Sequence, residues 1–383
     1  MVLKTARRGA IPPFIVMEVM QAAHEREVAG GDVIHLEVGQ PSTGAPSAVV
    51  AAAKAALGRD LLGYTVALGL PELRAAIAGH YRTFYGLDLA PERIVATTGA
   101  SGAFVLAFLA AFDPGDRVAL AAPGYPGYRH ILSTFGIEPV ILEAGPETRF
   151  QPSVELIEAA GGSLDGLIVA SPSNPAGTML SAADLARLAD YCTEHGIRLV
   201  SDEIYHGLAF GEKAATAAAH CDNGAIVINS FSKEFSMTGW RLGWMVVPED
   251  LMRAVECLAQ NLFVSPPTLS QQAAVAAFEC YDELDANVAR YARNRALLLD
   301  ELPKAGFDAL APADGAFYIY ADVSRMTNDS REFCSRMLAE TGVATTPGVD
   351  FDAARGAAFV RFCFAGATDD MAEAARRLRD WRR

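Results

Sequence analysis

The feature that most restricts the fold is an alternation. Short runs of Val, Ile, Leu and Ala, at residues 117–121, 167–170, 197–201 and 225–230, are separated by longer stretches whose apolar residues recur at helical spacing. A continuous apolar run suits a strand covered on both faces, and parallel neighbours need a long crossover between them. The pattern therefore predicts an α/β architecture, a large domain with a mostly parallel sheet flanked by helices. Expected helices include 101–112, after the glycine of TTGASG, and 181–195, where Ser181 is placed to cap and Asp184 follows three residues on.

Past Pro248 the alternation gives way to long helical stretches, roughly 250–263, 267–284 and 284–302. A smaller α+β unit follows, with strands expected at 316–323 and 357–364 around a helix at 330–340. At 383 residues the chain exceeds what one compact core holds. The expected division is residues 1–45 as an N-terminal arm and helix joined to the small domain, 46–280 as the large domain and 281–383 as the small C-terminal domain.

Composition removes several functional classes. Thirty-two Lys and Arg against 46 Asp and Glu give a net charge of -14, which repels nucleic-acid phosphates and anionic membrane surfaces. The six cysteines are scattered without the close pairs of zinc or redox sites, so reduced thiols and no metal are expected. No apolar run is long enough to span a bilayer and no secretory leader pattern is present, so the expected compartment is the cytoplasm.

Ligands of such sheets gather at the carboxyl ends of the strands, where four polar segments follow apolar runs: SPSNPAGT, SDEIYH, SFSKEFSMTGWRLGW and TGASGA. Lys233, in a Ser-rich loop after a buried strand, could be desolvated enough to act as an amine nucleophile. Asp202, at another strand end, would be a carboxylate in need of a cationic partner such as a protonated ring nitrogen, while Asn174 and Tyr205 could hydrogen-bond an oxygen on the same ring. Ala100 and Ser101 at a Gly-rich helix start, with Ser230, Ser232 and Arg241, could hold a phosphate. Arg361, within an apolar strand, suits bidentate capture of a carboxylate. Each alone has a plainer reading: a solvated lysine, a strand-end Asp, a turn Asn, a packed Tyr, an edge-strand Arg. Their combination does not.

In order and spacing, SNPAGT, SDEIY, SFSKEFSMTGWRLGW, GAFY and VRF resemble fold type I enzymes dependent on pyridoxal 5'-phosphate (PLP), specifically the class I/II aminotransferases of the aspartate aminotransferase superfamily. The match runs from about Ile11 to the C-terminus. The resemblance implies that Lys233 carries PLP as a Schiff base and shuttles the proton between substrate α-carbon and cofactor C4′, with Asp202 and Tyr205 as the other catalytic residues. Asp202 would pair with the pyridine nitrogen, Asn174 and Tyr205 would contact the ring oxygen, and Tyr125 would stack on the ring face. Ala100, Ser101, Ser230, Ser232 and Arg241 would hold the phosphate; Arg361 would bind the substrate carboxylate, helped by Gly39 and Asn174. Tyr64 would reach the phosphate of the other subunit, implying a homodimer with shared active sites, and the arm at 11–17 would cover the site.

The implied reaction moves an amino group between an L-amino acid (alanine, aspartate, or a hydrophobic or aromatic one) and a 2-oxo acid such as 2-oxoglutarate or pyruvate, by ping-pong turnover. A β- or γ-eliminating lyase on the same fold is the alternative, and a non-catalytic PLP sensor a third reading for which the chain offers no basic patch. Two departures from the family pattern stand out. The segment ASGAF lacks the cation that dicarboxylate-specific members often carry, and Asp352 replaces a usual glycine in TTPGVDFDAARG, where only the local turn is expected to change.

Overall fold

The computed structural model describes residues 3–381. An arm over residues 3–14 leads into α1 (Ile15–Val28), the short β1 (Ile34–His35), α2 (Ser47–Arg59) and α3 (Pro71–Tyr85). Pro71 opens α3, where its missing N–H costs nothing, and Gly86 closes it at a φ of 69°, a left-handed conformation that glycine adopts freely.

Seven strands then build the main sheet: β2 (Ile94–Thr97), β3 (Arg117–Ala122), β4 (Glu138–Glu143), β5 (Gly166–Ala170), β6 (Arg198–Asp202), β7 (Ile226–Ser230) and β8 (Gly243–Val246). Their order is β2-β8-β7-β6-β5-β3-β4. The pairs from β7 to β4 are parallel, while β8 runs antiparallel to both β7 and β2. The connection from β7 to β8 spans only residues 231–242 and holds no crossover helix, so an antiparallel neighbour is what it can make.

Helices α4 (Gly99–Ala111), α5 (Pro126–Phe135), α6 (Val154–Ala160) and α7 (Ala182–His195) lie between the strands. The Ser181 hydroxyl accepts the Asp184 N–H at 3.1 Å and starts α7 as its sequence position suggests. The strands alternate between two apolar layers, with Leu167, Val169 and Val227 in one and Ile168, Ile226 and Ile228 in the other.

After α8 (Glu249–Leu262), the helix expected over 267–284 is interrupted. α9 (Thr268–Ala274) passes into a 3₁₀ turn over Val275–Glu279 before α10 (Tyr281–Lys304) begins. On that tightened turn Phe278 packs against Phe231, Phe235 and Trp244, a tertiary contact that outweighs the helical periodicity of the segment.

The C-terminal part contains β9 (Ala309–Leu310), β10 (Tyr318–Asp322), α11 (Ser330–Thr341), β11 (Val343–Ala344), β12 (Thr346–Pro347), β13 (Phe359–Cys363) and α12 (Thr368–Trp381). Its sheet has the order β12-β13-β10-β9, and β11 pairs in parallel with β1. Ile34 and Leu36 therefore share a core with Phe307, Phe317, Phe333, Phe362 and Leu378. Tyr205 and Leu208, just beyond β6, belong to that core as well, so the segment after Asp202 lies at the seam between the two sheets.

Candidate active site

The carboxyl ends of β5, β6 and β7, the start of α4 and the C-terminal sheet enclose a cavity of about 300 Å³. Lys233, Asp202, Asn174, Tyr205, Tyr125, Ala100, Ser101, Ser230, Ser232, Arg241, Gly39 and Arg361 all line it, and Tyr64 does not. A wider hollow of about 880 Å³ opens at the opposite ends of the strands, by Arg93, Arg198 and Asp250, and none of the expected site residues borders it.

Lys233 is not a solvated loop lysine. The residue as a whole is half-buried but its amine is enclosed, donating to the Gly39 carbonyl at 2.6 Å and lying 5.6 Å and 5.8 Å from the ring centres of Tyr205 and Phe317. Loss of hydration pushes the amine down to about 8. Asp202, the last residue of β6, shows the converse: burial pushes its carboxyl up to about 6, against the hydrogen bonds it receives and the nearby Lys233. One oxygen accepts the Ile204 N–H at 3.2 Å and the other accepts the Tyr128 hydroxyl.

Tyr128 is a site residue that sequence reasoning missed. It is the second tyrosine of PGYPGY, one helical turn past Tyr125 on α5, and the two rings meet edge-on at 5.2 Å. The helix start at Pro126 was the available signal. Glu203, beside Asp202, points elsewhere: it accepts the Ser201 and Thr216 hydroxyls at 3.1 Å and 2.7 Å and the Ala217 N–H at 2.7 Å, a satisfied buried carboxyl that borders no part of the cavity.

Arg361 lies in β13, between β10 and β12, and is 3% exposed, so it is no edge-strand surface residue. Its Nη1 donates to Asn174 Oδ1 at 2.8 Å, and its Nη2 to Thr346 Oγ1 at 3.0 Å and to the Glu37 carbonyl. Its plane is held between the rings of Tyr318 and Phe351, 4.4 Å and 4.7 Å from their centres. Tyr318, the tyrosine of GAFY, also hydrogen-bonds the Tyr205 hydroxyl at 2.8 Å. A Cβ at Gly39 would fall 1.9 Å from the Tyr318 hydroxyl, which explains glycine at that position.

At the other end of the cavity α4 begins at Gly99, with Ala100 and Ser101 in its first turn. A Cβ on Gly99 would lie 2.4 Å from Arg241 Nη2, so glycine lets the guanidinium reach the helix start. Ser230 Oγ accepts the Ser232 N–H at 3.1 Å. Unpaired N–H groups, hydroxyls and a guanidinium converging at a helix N-terminus make an anion site. The mouth is apolar: Val16, Met17 and Met20 of α1 face Val38 and Ile131, and Phe14 stacks on Tyr125 with ring centres 5.8 Å apart. Tyr64 is 88% exposed, on an outer surface that also exposes Leu61, Val66 and Val264.

The expectation for Asp352 was too narrow. Its carboxylate accepts the Ala354 and Arg355 N–H groups and meets Arg355 Nε at 2.8 Å, and Arg355 Nη2 donates to the carbonyls of Ala122 and Ala144 at 2.6 Å and 3.0 Å. Asp352 thus fastens its loop to the strand end that leads into Tyr125. Among the described residues no group of His, Cys, Asp and Glu is arranged to hold a metal ion, and no helix is long and apolar enough to cross a membrane.

The profile of the family aminotransferase class I and II matches residues 31–378. The chain belongs to this family. It is 54% identical over 381 residues to the valine–pyruvate aminotransferase of Mycobacterium tuberculosis, covering 99% of this chain and 98% of that one. The crystal structure of an aminotransferase from Mycobacterium tuberculosis superposes with a TM-score of 0.97 at 54% identity, over 99% of both chains. Thermus thermophilus aspartate aminotransferase with maleate superposes with a TM-score of 0.92 at 32% identity, over 99% of this chain and 100% of that one.

The protein is a PLP-dependent aminotransferase of fold type I, and the lyase reading is not favoured. The residues present fit the cofactor. A carboxylate raised by burial awaits a cation, a lysine lowered by burial hydrogen-bonds only a carbonyl among the described residues, and an anion cradle opened by Gly99 lies at the far end of the same cavity.

Proposed function

We propose that this aminotransferase takes its amino group from a small branched aliphatic L-amino acid, valine being the type, and delivers it to pyruvate. The observation that carries this reading is the lining of the cavity: its only cations are Lys233, Arg241 and Arg361, and the mouth is made by Val16, Met17, Met20, Val38 and Ile131. With Arg361 used for the α-carboxylate and Lys233 and Arg241 for the cofactor, no further cation among the described residues lining the cavity answers a side-chain carboxylate, which speaks against aspartate. The name of the 54% identical relative points the same way.

When bound, PLP supplies an electron-poor ring that accepts the electron pair left at the substrate α-carbon. Asp202 would keep the ring nitrogen protonated, with Tyr128 fixing the carboxylate. Asn174 uses Oδ1 on Arg361, so its Nδ2 is free to donate to the ring oxygen, beside the Tyr205 hydroxyl. Tyr125 would cover the ring face, and Ala100, Ser101, Ser230, Ser232 and Arg241 would hold the phosphate. Arg361, already flat between two rings, would bind the α-carboxylate with Asn174 and the backbone of Gly39. Lys233, its amine eased towards neutrality by burial, would take the proton from the α-carbon and return it at C4′. Run backwards on a 2-oxo acid, the same residues complete the ping-pong cycle.

The exposed Leu61, Tyr64, Val66 and Val264 support a homodimer in which Tyr64 reaches the partner's phosphate. The parallel pairing of β1 with β11 supports assigning residues 1–45 to the small domain with 281–383, leaving 46–280 as the large one. A cytoplasmic location accords with the absence of a spanning helix among the described residues. The test of the substrate reading is titration of the PLP-loaded enzyme with single amino acids while the visible cofactor band is followed. Valine is expected to bleach it and pyruvate to restore it. Faster bleaching by aspartate or by aromatic amino acids would refute the reading.

A further inference from the structure

The apolar face that closes the cavity belongs to α1, yet what seats α1 lies 335 residues further along the chain. The first turn of any helix leaves N–H groups without intrahelical partners, and Phe14, at the capping position of α1, has no side-chain acceptor to offer them. The Asp350 carboxylate takes two of them, with Oδ1 accepting the Ile15 N–H at 3.1 Å and Oδ2 the Val16 N–H at 3.4 Å.

Asp350 is 2% exposed, and its own position is fixed. Its backbone carbonyl accepts Arg129 Nη2 at 2.6 Å, and the next carbonyl, of Phe351, accepts the Gly124 N–H at 3.1 Å. The loop of Asp350 is therefore fastened to the segment that carries Tyr125, and Phe14 completes the junction by stacking on that tyrosine. A cap that normally comes from the residue just before a helix is here supplied by a different part of the molecule, so the start of α1 is satisfied only while the helix sits over the cavity.

We propose that Asp350 is a positioning residue that seats α1 on the site and thereby sets selectivity for the length of an aliphatic side chain. The proposal rests on the reading that the donor is small, branched and aliphatic. Arg361 and Asn174, which would hold the α-carboxylate, hydrogen-bond to neither α1 nor Asp350, whereas Val16, Met17 and Met20 supply the α1 side of the lining. Loosening α1 removes apolar contact from the substrate side chain and leaves carboxylate capture intact. Alanine, with one methyl group, loses little; valine loses more.

The experiment compares Asp350→Ala and Asp350→Asn holoenzymes with the native one. It measures KM and kcat for valine and for alanine with a single acceptor, and amide hydrogen exchange over residues 15–20. Loss of a cap predicts a rise of about fivefold in KM for valine with Asp350→Ala, below a ceiling of roughly fifteenfold set by two buried methyl-sized groups. Alanine should change by less than about twofold, kcat should hold for both, and exchange over residues 15–20 should quicken while α4 stays protected. Asn keeps one acceptor oxygen for the helix start and loses the other, so Asp350→Asn should fall between the native enzyme and Asp350→Ala.

Unchanged exchange in Asp350→Ala, equal rises for valine and alanine, or an Asp350→Asn as impaired as Asp350→Ala would each overturn the proposal. Were Asp350→Ala not to fold, Met20→Ala should raise KM for valine over alanine with exchange at residues 15–16 unaltered, and an unaltered ratio would count against it. A native enzyme that ignores valine would refute the substrate reading alone; the exchange comparison and the ratio of a longer to a shorter aliphatic donor would still decide the role of Asp350.

Discussion

Replacing Arg361 with Lys tests the carboxylate site most directly. The guanidinium is held in one plane by the rings of Tyr318 and Phe351, and its Nη1 and Nη2 are anchored by Asn174, Thr346 and the Glu37 carbonyl. With both Nη2 hydrogens engaged, one Nη1 hydrogen and the unpartnered Nε–H remain for a carboxylate, whereas an ammonium is a point charge that keeps the attraction and gives up one bond. A hydrogen bond to a charged group contributes about 1.5–3 kcal/mol, which converts to roughly 10- to 150-fold in kcat/KM. The α-carboxylate carries the same charge before and during proton removal, so the loss should fall on KM and leave kcat within a few-fold. The assay is bleaching of the cofactor band in the half-reaction, with valine and with isobutylamine, the amine that remains when the carboxylate of valine is removed. Arg361→Lys should weaken the valine reaction and leave the isobutylamine reaction unchanged. An equal loss with both, or a fall confined to kcat, would refute the assignment of Arg361 to the carboxylate.

Lys233→Ala should remain folded yet fail to develop the visible band on addition of PLP; in the native apoenzyme, capture of PLP should quicken as pH rises to about 8, where the amine becomes neutral, and then level off. Asp202, raised from 3.8 to about 6, binds its proton more tightly folded than unfolded, so apoenzyme stability should fall as pH rises through that interval, by about 3 kcal/mol against Asp202→Asn. Urea unfolding of the two proteins across the interval measures it, and parallel curves would show that the carboxyl is not held up by burial. Tyr64→Phe should weaken PLP retention by up to about tenfold, the value of one hydrogen bond, with the dimer intact by sedimentation; unaltered retention would remove Tyr64 from the partner's site.

Much of this was legible because strand ends and loop motifs are local. Asp202 ends a buried strand, and Lys233 and Asn174 follow one within a few residues, so the apolar run that makes the strand also announces where its polar residue will stand. The tyrosines were harder. The sequence assigned no role to Tyr128 or Tyr318, and only the fold shows that one hydroxyl reaches Asp202 and the other Tyr205. Asp350 and Asp352 were harder for a different reason: Asp350 meets Ile15, and Asp352 acts through its neighbour Arg355 on the Ala122 carbonyl, long-range contacts that no periodicity encodes. The broken helix near Phe278 has the same origin, since an aromatic cluster from three elements set the backbone there.

Lys233 and Asp202 also explain one another. Both are enclosed, and burial drives each towards its neutral form, the amine down and the carboxyl up. They attract, but not enough to offset the lost hydration, and each borrows a weaker partner: the Gly39 carbonyl for the amine, the Tyr128 hydroxyl for the carboxyl. A ligand with an electrophilic carbonyl carbon at one edge and a basic ring nitrogen at the other would relieve both at once: the nitrogen would bring the positive charge that Asp202 lacks, and the carbonyl carbon would bond the neutral amine of Lys233 with loss of water. Binding of PLP should then stabilise the fold beyond mass action on the phosphate cradle alone. The excess should vanish in Asp202→Asn, whose neutral amide has no burial penalty for the cofactor to cancel.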